Sequence, residues 1–87
     1  MEEVIVDILV DNIMIFEGLR VQLLNGQGRF EMPNIPEVMM KLRPLLKRGT
    51  NVMLFEDGRK AKFFVILTPK ITSLLITVEF FVYGWEI

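Results

Sequence analysis

Short segments of alternating polarity, separated by tight-turn signals, constrain this chain more than any other sequence feature. In residues 4–10 an aliphatic side chain occupies every second position, which is the spacing of a strand with one buried face. Asp11-Asn12 follows, and both residue types tolerate the positive φ of a two-residue hairpin. The "NGQG" segment and Asp57-Gly58 punctuate later apolar segments in the same way. The pattern predicts antiparallel strands joined by short turns.

Three strands precede the single helical segment and further strands follow it. Glu17-Gly18 interrupts the second strand, and a glycine at such a position marks a bulge or bend. The C-terminal segment 71–87 is predicted as one long strand with large apolar side chains on both faces, which indicates that both faces are covered. Alternate residues from Leu74 to Val82 lie on one face, and alternate residues from Ser73 to Trp85 lie on the other.

The helical segment runs from Asn34, a capping residue, to Gly49, a natural C-terminal residue. Glu37 stands at the capping-box position, and Pro44 predicts a kink or a division into two pieces. We therefore predict a single α+β domain over residues 1–87. Its sheet is mostly antiparallel, its order is βββ-α-βββ, and it has one short kinked helix.

The apolar content predicts self-association. Hydrophobic residues make up 52% of only 87 residues, and a chain this short hides a limited share of its surface. The longest stretches without a charge are eight residues, far below the roughly 20 that a spanning helix needs. Glu2 and Glu3 occupy the place of the basic start of a signal peptide. We expect a cytoplasmic protein without a membrane span that forms a homo-oligomer, most simply a dimer.

The chain contains neither cysteine nor histidine. This removes the usual ligands of zinc, copper and iron, the usual base near neutral pH, and both Ser-His and Cys-His pairs. Asp7, Asp11 and Glu17 could bind a hard cation or act as acid and base, or could be outward-facing acids on a half-buried strand. We predict no enzyme activity, no metal site and no cofactor.

The "GQG" of residues 26–28 lacks the context of a phosphate-binding loop. Glu31 stands where the third glycine of a dinucleotide fingerprint belongs, and a strand rather than a helix follows. The two glycines are interpreted as hairpin residues.

The segment "LRVQLLNGQGRFEMP" with Asp11 upstream resembles the strand-loop-strand segment of the SpoVG septation-protein family. The likeness covers residues 6–33 and is carried by Arg20-Val21, Asn25 and Met32-Pro33 together with that aspartate. It implies a dimeric α+β fold and a DNA- or RNA-binding regulatory role. After Pro33 the chain departs from the family, and the basic C-terminal helix credited with nucleic-acid binding there has no counterpart here.

Charge is unevenly distributed along the chain. Residues 1–37 carry two basic and seven acidic side chains, whereas residues 38–62 carry seven basic and two acidic ones. The basic set is a candidate contact for DNA or RNA phosphates, or alternatively a solvated helix face and a charged edge strand. Its members are Lys41, Arg43, Lys47, Arg48, Arg59, Lys60 and Lys62.

Aromatic side chains cluster at the C-terminus, where they form either core or an interface, in which tyrosine and tryptophan often act as anchors. The candidate interface residues are Phe80, Phe81, Tyr83 and Trp85. Two hypotheses follow for this self-associating, non-enzymatic domain. The first is a regulatory protein that binds nucleic acid through the basic set. The second is a structural or protein-interaction module whose partner covers the apolar C-terminal strand.

Overall fold

The computed structural model describes residues 2–47, 49–66 and 69–86. The order of its elements along the chain is the predicted one: three strands, a helix and further strands. In chain order they are β1 (Glu2–Val10), β2 (Ile13–Leu24), β3 (Gln27–Pro33), α1 (Pro36–Leu46), β4 (Asn51–Phe55), β5 (Lys60–Val65), β6 (Lys70–Ile71) and β7 (Leu75–Glu86).

Six of the strands close into an antiparallel barrel. Strands β1, β2 and β3 form one three-stranded meander, and β4, β5 and β7 form another. Pairing of β1 with β4 joins the meanders on one side, and pairing of β3 with β7 joins them on the other. The two-residue β6 pairs with the start of β7. The prediction of an α+β fold is therefore wrong, because the sheet closes on itself and the short helix is not a layer packed on an open sheet.

The barrel interior is filled by side chains of alternate strand positions. Of the residues predicted to share one face from Leu74 to Val82, those from Ile76 onward point inward and are buried. Leu74 precedes β7 and is 77% exposed. The remaining buried apolar residues come from each of the other five barrel strands and from the helix: Val6, Ile8, Val10, Val21, Leu23, Phe30, Met32, Leu42, Leu45, Met53, Phe55, Ala61 and Phe63. Burial of these faces is the main favourable term that holds the barrel together.

Two hairpins turn on residues with positive φ. Asp11 and Asn12 have φ of 51° and 68°, and Asn25 and Gly26 have φ of 52° and 79°, the pattern of type I′ turns. The chain thus turns at Asn25-Gly26, while Gly28 belongs to β3. A Cβ at Gly28 would overlap the Gln22 carbonyl oxygen and the ring of Phe80. The second glycine of "GQG" therefore allows β3 to pack closely against Gln22 and Phe80, and it does not form the turn.

The predicted irregularity at Gly18 is a β-bulge. The β1–β2 register shifts beside it, and Gly18 has φ of 65°. Its backbone N–H donates to Asp7 Oδ1 over 2.8 Å. A side chain of β1 therefore fixes the bulge in β2.

The helix is shorter than predicted and begins without a side-chain cap. Ile35 is the N-cap, and Asn34 instead donates its Nδ2 to the Thr72 carbonyl oxygen over 2.7 Å. Leu42 and Leu45 point from the helix into the core. Pro44 lies in the last turn of a continuous helix, so of the two expected effects the division into two pieces does not occur, and the kink stays a prediction. None of the helices in the described part of the chain is long and apolar enough to cross a membrane.

Candidate nucleic-acid interface

A bulge in β7 separates the aromatic residues that the sequence grouped together. Lys62 pairs with Gly84 and Phe63 pairs with Val82, so Tyr83 is the extra residue. Beyond it the parity reverses, and Trp85 pairs with the inward-facing Ala61.

The four candidate interface residues therefore occupy different environments. Phe80 is 0% exposed and belongs to the core, so its assignment to an interface is corrected. Phe81 is half-buried on the outside of the barrel, Tyr83 is exposed there, and Trp85 lies at one rim.

Three aromatic rings form a strip on the outer face of β5 and β7. Phe64 pairs directly with Phe81, and their ring centroids lie 5.6 Å apart. The ring of Tyr83 lies 5.8 Å from that of Phe64 on the diagonal. Phe64 and Tyr83 remain 46% and 54% exposed. We call Phe64, Phe81 and Tyr83 the aromatic strip.

Two lysines share the outward face of β5 with Phe64. Lys60 and Lys62 alternate with the buried Ala61 and therefore point outward. The stem of Lys62 crosses Gly84, where a Cβ would lie 3.8 Å from the lysine Cβ, and its ammonium lies 3.3 Å from Glu86 Oε1. Lys60 makes no ion pair with any acidic side chain in the described ranges. Lys62 is thus ion-paired with a carboxylate, whereas Lys60 is not paired with any acidic side chain of the described ranges.

A second aromatic group lies at the barrel rim where β7 ends. The Arg59 guanidinium carbon lies 5.3 Å from the Phe55 ring centroid and 5.5 Å from that of Trp85. Arg59 also donates from its backbone N–H to Asp57 Oδ1 over 3.0 Å and from Nε to Oδ2 over 2.7 Å. The backbone hydrogen bond is the main cause that lowers the pKa of Asp57, and the arginine side chain adds to it. Arg59 is therefore held against the indole of Trp85.

The predicted phosphate contacts that the structure describes are spread from one end of β4 to the other. The amide of Asn51, at the start of β4, donates to the carbonyl oxygen of Leu45 in the helix, whereas Phe55 at the other end packs against Arg59. At about 3.3 Å per residue, β4 separates these two ends by about 13 Å. Lys47 follows the helix at the first end, and Lys62 pairs with Val52 close to that end, whereas Lys60 pairs with Leu54 and Arg59 packs on Phe55 toward the second. The ammonium of Lys41 lies 6.0 Å from the Phe16 ring centroid, and Arg43 is exposed on the helix. Arg48 falls outside the described residues.

The candidate carboxylates Asp7 and Asp11 are engaged in local structure. Asp7 accepts the bulge N–H of Gly18, and Asp11 Oδ1 accepts the backbone N–H of Thr50 over 2.9 Å. Within the described ranges no three side chains of the metal-binding types come together. Both carboxylates thus act as hydrogen-bond acceptors for the backbone.

Phe64 is the site residue that the sequence analysis did not single out. Its signal is the alternation in "KAKFF", which places Lys60, Lys62 and Phe64 on one face of a strand. The aromatic partners come from β7, so the mixture of cations and rings arises across strands rather than along the chain.

Comparison with known proteins found no matching family model, no matching curated protein and no matching solved structure.

Proposed function

We propose that this protein is a non-enzymatic, cytoplasmic binding protein whose ligand is single-stranded nucleic acid. The observation that carries the proposal is the aromatic strip, with Phe64 and Tyr83 about half exposed beside Lys60 and Lys62. Proteins that bind single strands combine aromatic side chains, on which bases stack, with cations that follow the phosphates. The aromatic strip and the neighbouring Lys60 and Lys62 supply both on one wall of the barrel.

The SpoVG resemblance of residues 6–33 implies the same class of ligand. These residues run from within β1 to the end of β3, next to the β7 wall rather than within the strip. The resemblance therefore supports the ligand class, and the strip supports the position of the contact.

The test is binding of a fluorescently labelled oligothymidylate, followed by anisotropy. Removal of one stacking ring costs about 1–3 kcal/mol, so Tyr83→Ala is expected to weaken binding by about 5- to 150-fold. Tyr83→Phe is the matched control, because it keeps the ring and removes only the hydroxyl. Wild-type affinity in Tyr83→Ala, or equal losses in both variants, would contradict stacking on this ring.

A second proposal is association into a homodimer, which a separate set of exposed apolar side chains favours. Leu74 is 77% exposed, and Ile35 and Ile71 lie nearby with about half of their surface exposed. The backbone N–H of Asn34 donates to the Leu74 carbonyl oxygen over 3.0 Å, which places Ile35 beside Leu74. Exposed apolar patches of this kind are typical of protein interfaces.

The mass in solution separates the two proposals. We expect a dimer in the wild type and a monomer in Leu74→Asp, with unchanged oligonucleotide affinity in that variant. Tyr83→Ala should show the reverse, a dimer with weakened oligonucleotide binding. A monomeric wild type at high concentration would eliminate the dimer without affecting the nucleic-acid proposal.

A further inference from the structure

Strand β1 continues beyond the end of β4, one of its two neighbours in the closed barrel. It pairs with β2 from Glu2 to Val10, whereas its pairing with β4 covers only Val6 to Val10. On the β4 side, no described residue forms strand pairing with the segment Glu2–Ile5. Four residues at about 3.3 Å each leave about 13 Å of open strand edge.

This open edge presents backbone hydrogen-bonding groups. In an antiparallel sheet, successive residues direct their N–H and C=O groups alternately to the two sides. Half of the residues in Glu2–Ile5 therefore direct these groups away from β2. An unpaired edge of this kind is a template on which an extended segment can add as a further strand.

The groove beside the edge has an apolar floor and an acidic rim. It measures about 390 Å³ and lies between β1 and the β4–β5 turn. Ile5, 42% exposed, and the buried Phe55 supply apolar surface. The charged lining consists of three carboxylates, Glu3, Glu56 and Asp57, and one guanidinium, Arg59, which pairs with Asp57. Glu3 lies 3.5 Å from the Nε of Arg20, whereas Glu56 makes no ion pair with the basic side chains of the described ranges.

The charge of the rim selects the occupant. A second copy pairing through the same edge would bring Glu2 and Glu3 of both chains together, and like charges on adjacent strands are destabilising. Glu3 and Ile5 share the outward face of β1. A segment with lysine or arginine at alternate positions therefore places its cations on that face, against Glu3, and its apolar residues on the other face, toward Val4 and Phe55. We propose that the Glu2–Ile5 edge binds an extended basic peptide segment of another protein by strand addition.

The test uses a synthetic peptide of alternating lysine and valine and two matched peptides. One carries N-methyl groups on alternate backbone amides, and the other has glutamate in place of lysine. We expect the first peptide to bind and N-methylation to weaken it by about tenfold or more, because backbone hydrogen bonds are lost. The glutamate peptide should not bind, and the amides of Glu2–Ile5 should gain hydrogen-exchange protection with the lysine peptide.

Glu56→Lys serves as the protein variant, because an exposed turn residue can change charge without disturbing the core. It is expected to weaken the lysine peptide several-fold and to leave the effect of N-methylation intact. Binding that N-methylation does not change would overturn strand addition. Equal binding of the lysine and glutamate peptides would overturn charge selection, and no binding of the lysine peptide at millimolar concentration would overturn the proposal as a whole.

Discussion

The dependence of oligonucleotide affinity on salt concentration separates the aromatic strip from the predicted basic set. Each phosphate neutralised on a single strand contributes about −0.7 to the slope of log K against log salt. A contact through the aromatic strip would include two lysines on the same face of β5, Lys60 and Lys62, and predicts a slope of about −1.4. A contact through all seven cations predicts a slope of about −4.9.

The two slopes give very different losses of affinity over an accessible range. Raising salt from about 50 to about 200 mM should weaken binding about 7-fold for the strip and about 900-fold for the full set. Fluorescence anisotropy of a labelled oligothymidylate at four or more salt concentrations measures the slope directly. Because Lys62 is ion-paired with Glu86, the magnitude of the measured slope should not exceed the value for two lysines.

A matched pair of charge deletions assigns the slope to strand β5 rather than to the helix. Lys60→Ala should reduce its magnitude by about 0.7, whereas Lys47→Ala, with the same loss of charge at the helix end, should leave it unchanged. A slope near −5, or a change produced by Lys47→Ala alone, would refute the assignment of the contact to β5 and β7.

Three further predictions concern stability. Gly28→Ala should lower the free energy of unfolding by about 1–3 kcal/mol in urea titration, because the new Cβ meets the fully buried ring of Phe80; unchanged stability would contradict that packing. Asn51→Leu should change it by less than about 1 kcal/mol, because removal of the buried Oδ1, which has no hydrogen-bond partner among the described residues, offsets loss of the 3.5 Å hydrogen bond from Nδ2 to the Leu45 carbonyl oxygen; a loss of several kcal/mol would show that this oxygen is satisfied. The backbone N–H of Arg59 is the main cause that lowers the folded-state pKa of Asp57. The ionised carboxylate therefore stabilises the fold above its ordinary pKa, and this stabilisation disappears as pH falls through the lowered pKa. Urea titrations across this range should show Asp57→Asn without that acid-dependent component, and identical pH profiles would contradict the assignment.

The local features of the fold were readable because they rest on neighbouring residues. Turn residues that tolerate positive φ located the hairpin at Asp11-Asn12, and a glycine within a strand located the bulge at Gly18. Alternation along β7 grouped the inward-facing side chains from Ile76 to Val82, although it also included Leu74, which is exposed. Each of these signals operates over a few positions of the chain.

Closure of the barrel could not be read from the sequence because it depends on pairing between distant segments. Strand β3 meets β7 about 50 positions later, and no local pattern distinguishes this pairing from an open sheet. Asn34 illustrates the same limit on a smaller scale. It has the chemistry of a helix cap, yet its side chain bonds to Thr72, a residue that only the tertiary structure brings near.

The candidate site was predicted in composition but not in arrangement. The sequence identified aromatic residues and cations as separate groups, and the bulge at Tyr83 then redistributed the aromatic ones between core, wall and rim. A one-residue insertion in a strand reverses the facing of every residue beyond it. Strict alternation therefore placed Trp85 on the wrong face, and Phe64 was overlooked.

Backbone amide shifts of the labelled protein during titration with oligothymidylate test the position of the ligand most directly. We predict that the largest changes fall at Lys60–Phe64 and at Phe81–Gly84, with little change along the helix Pro36–Leu46. Shifts concentrated on that helix, or none at millimolar oligonucleotide, would contradict the assignment of the aromatic strip as the binding surface.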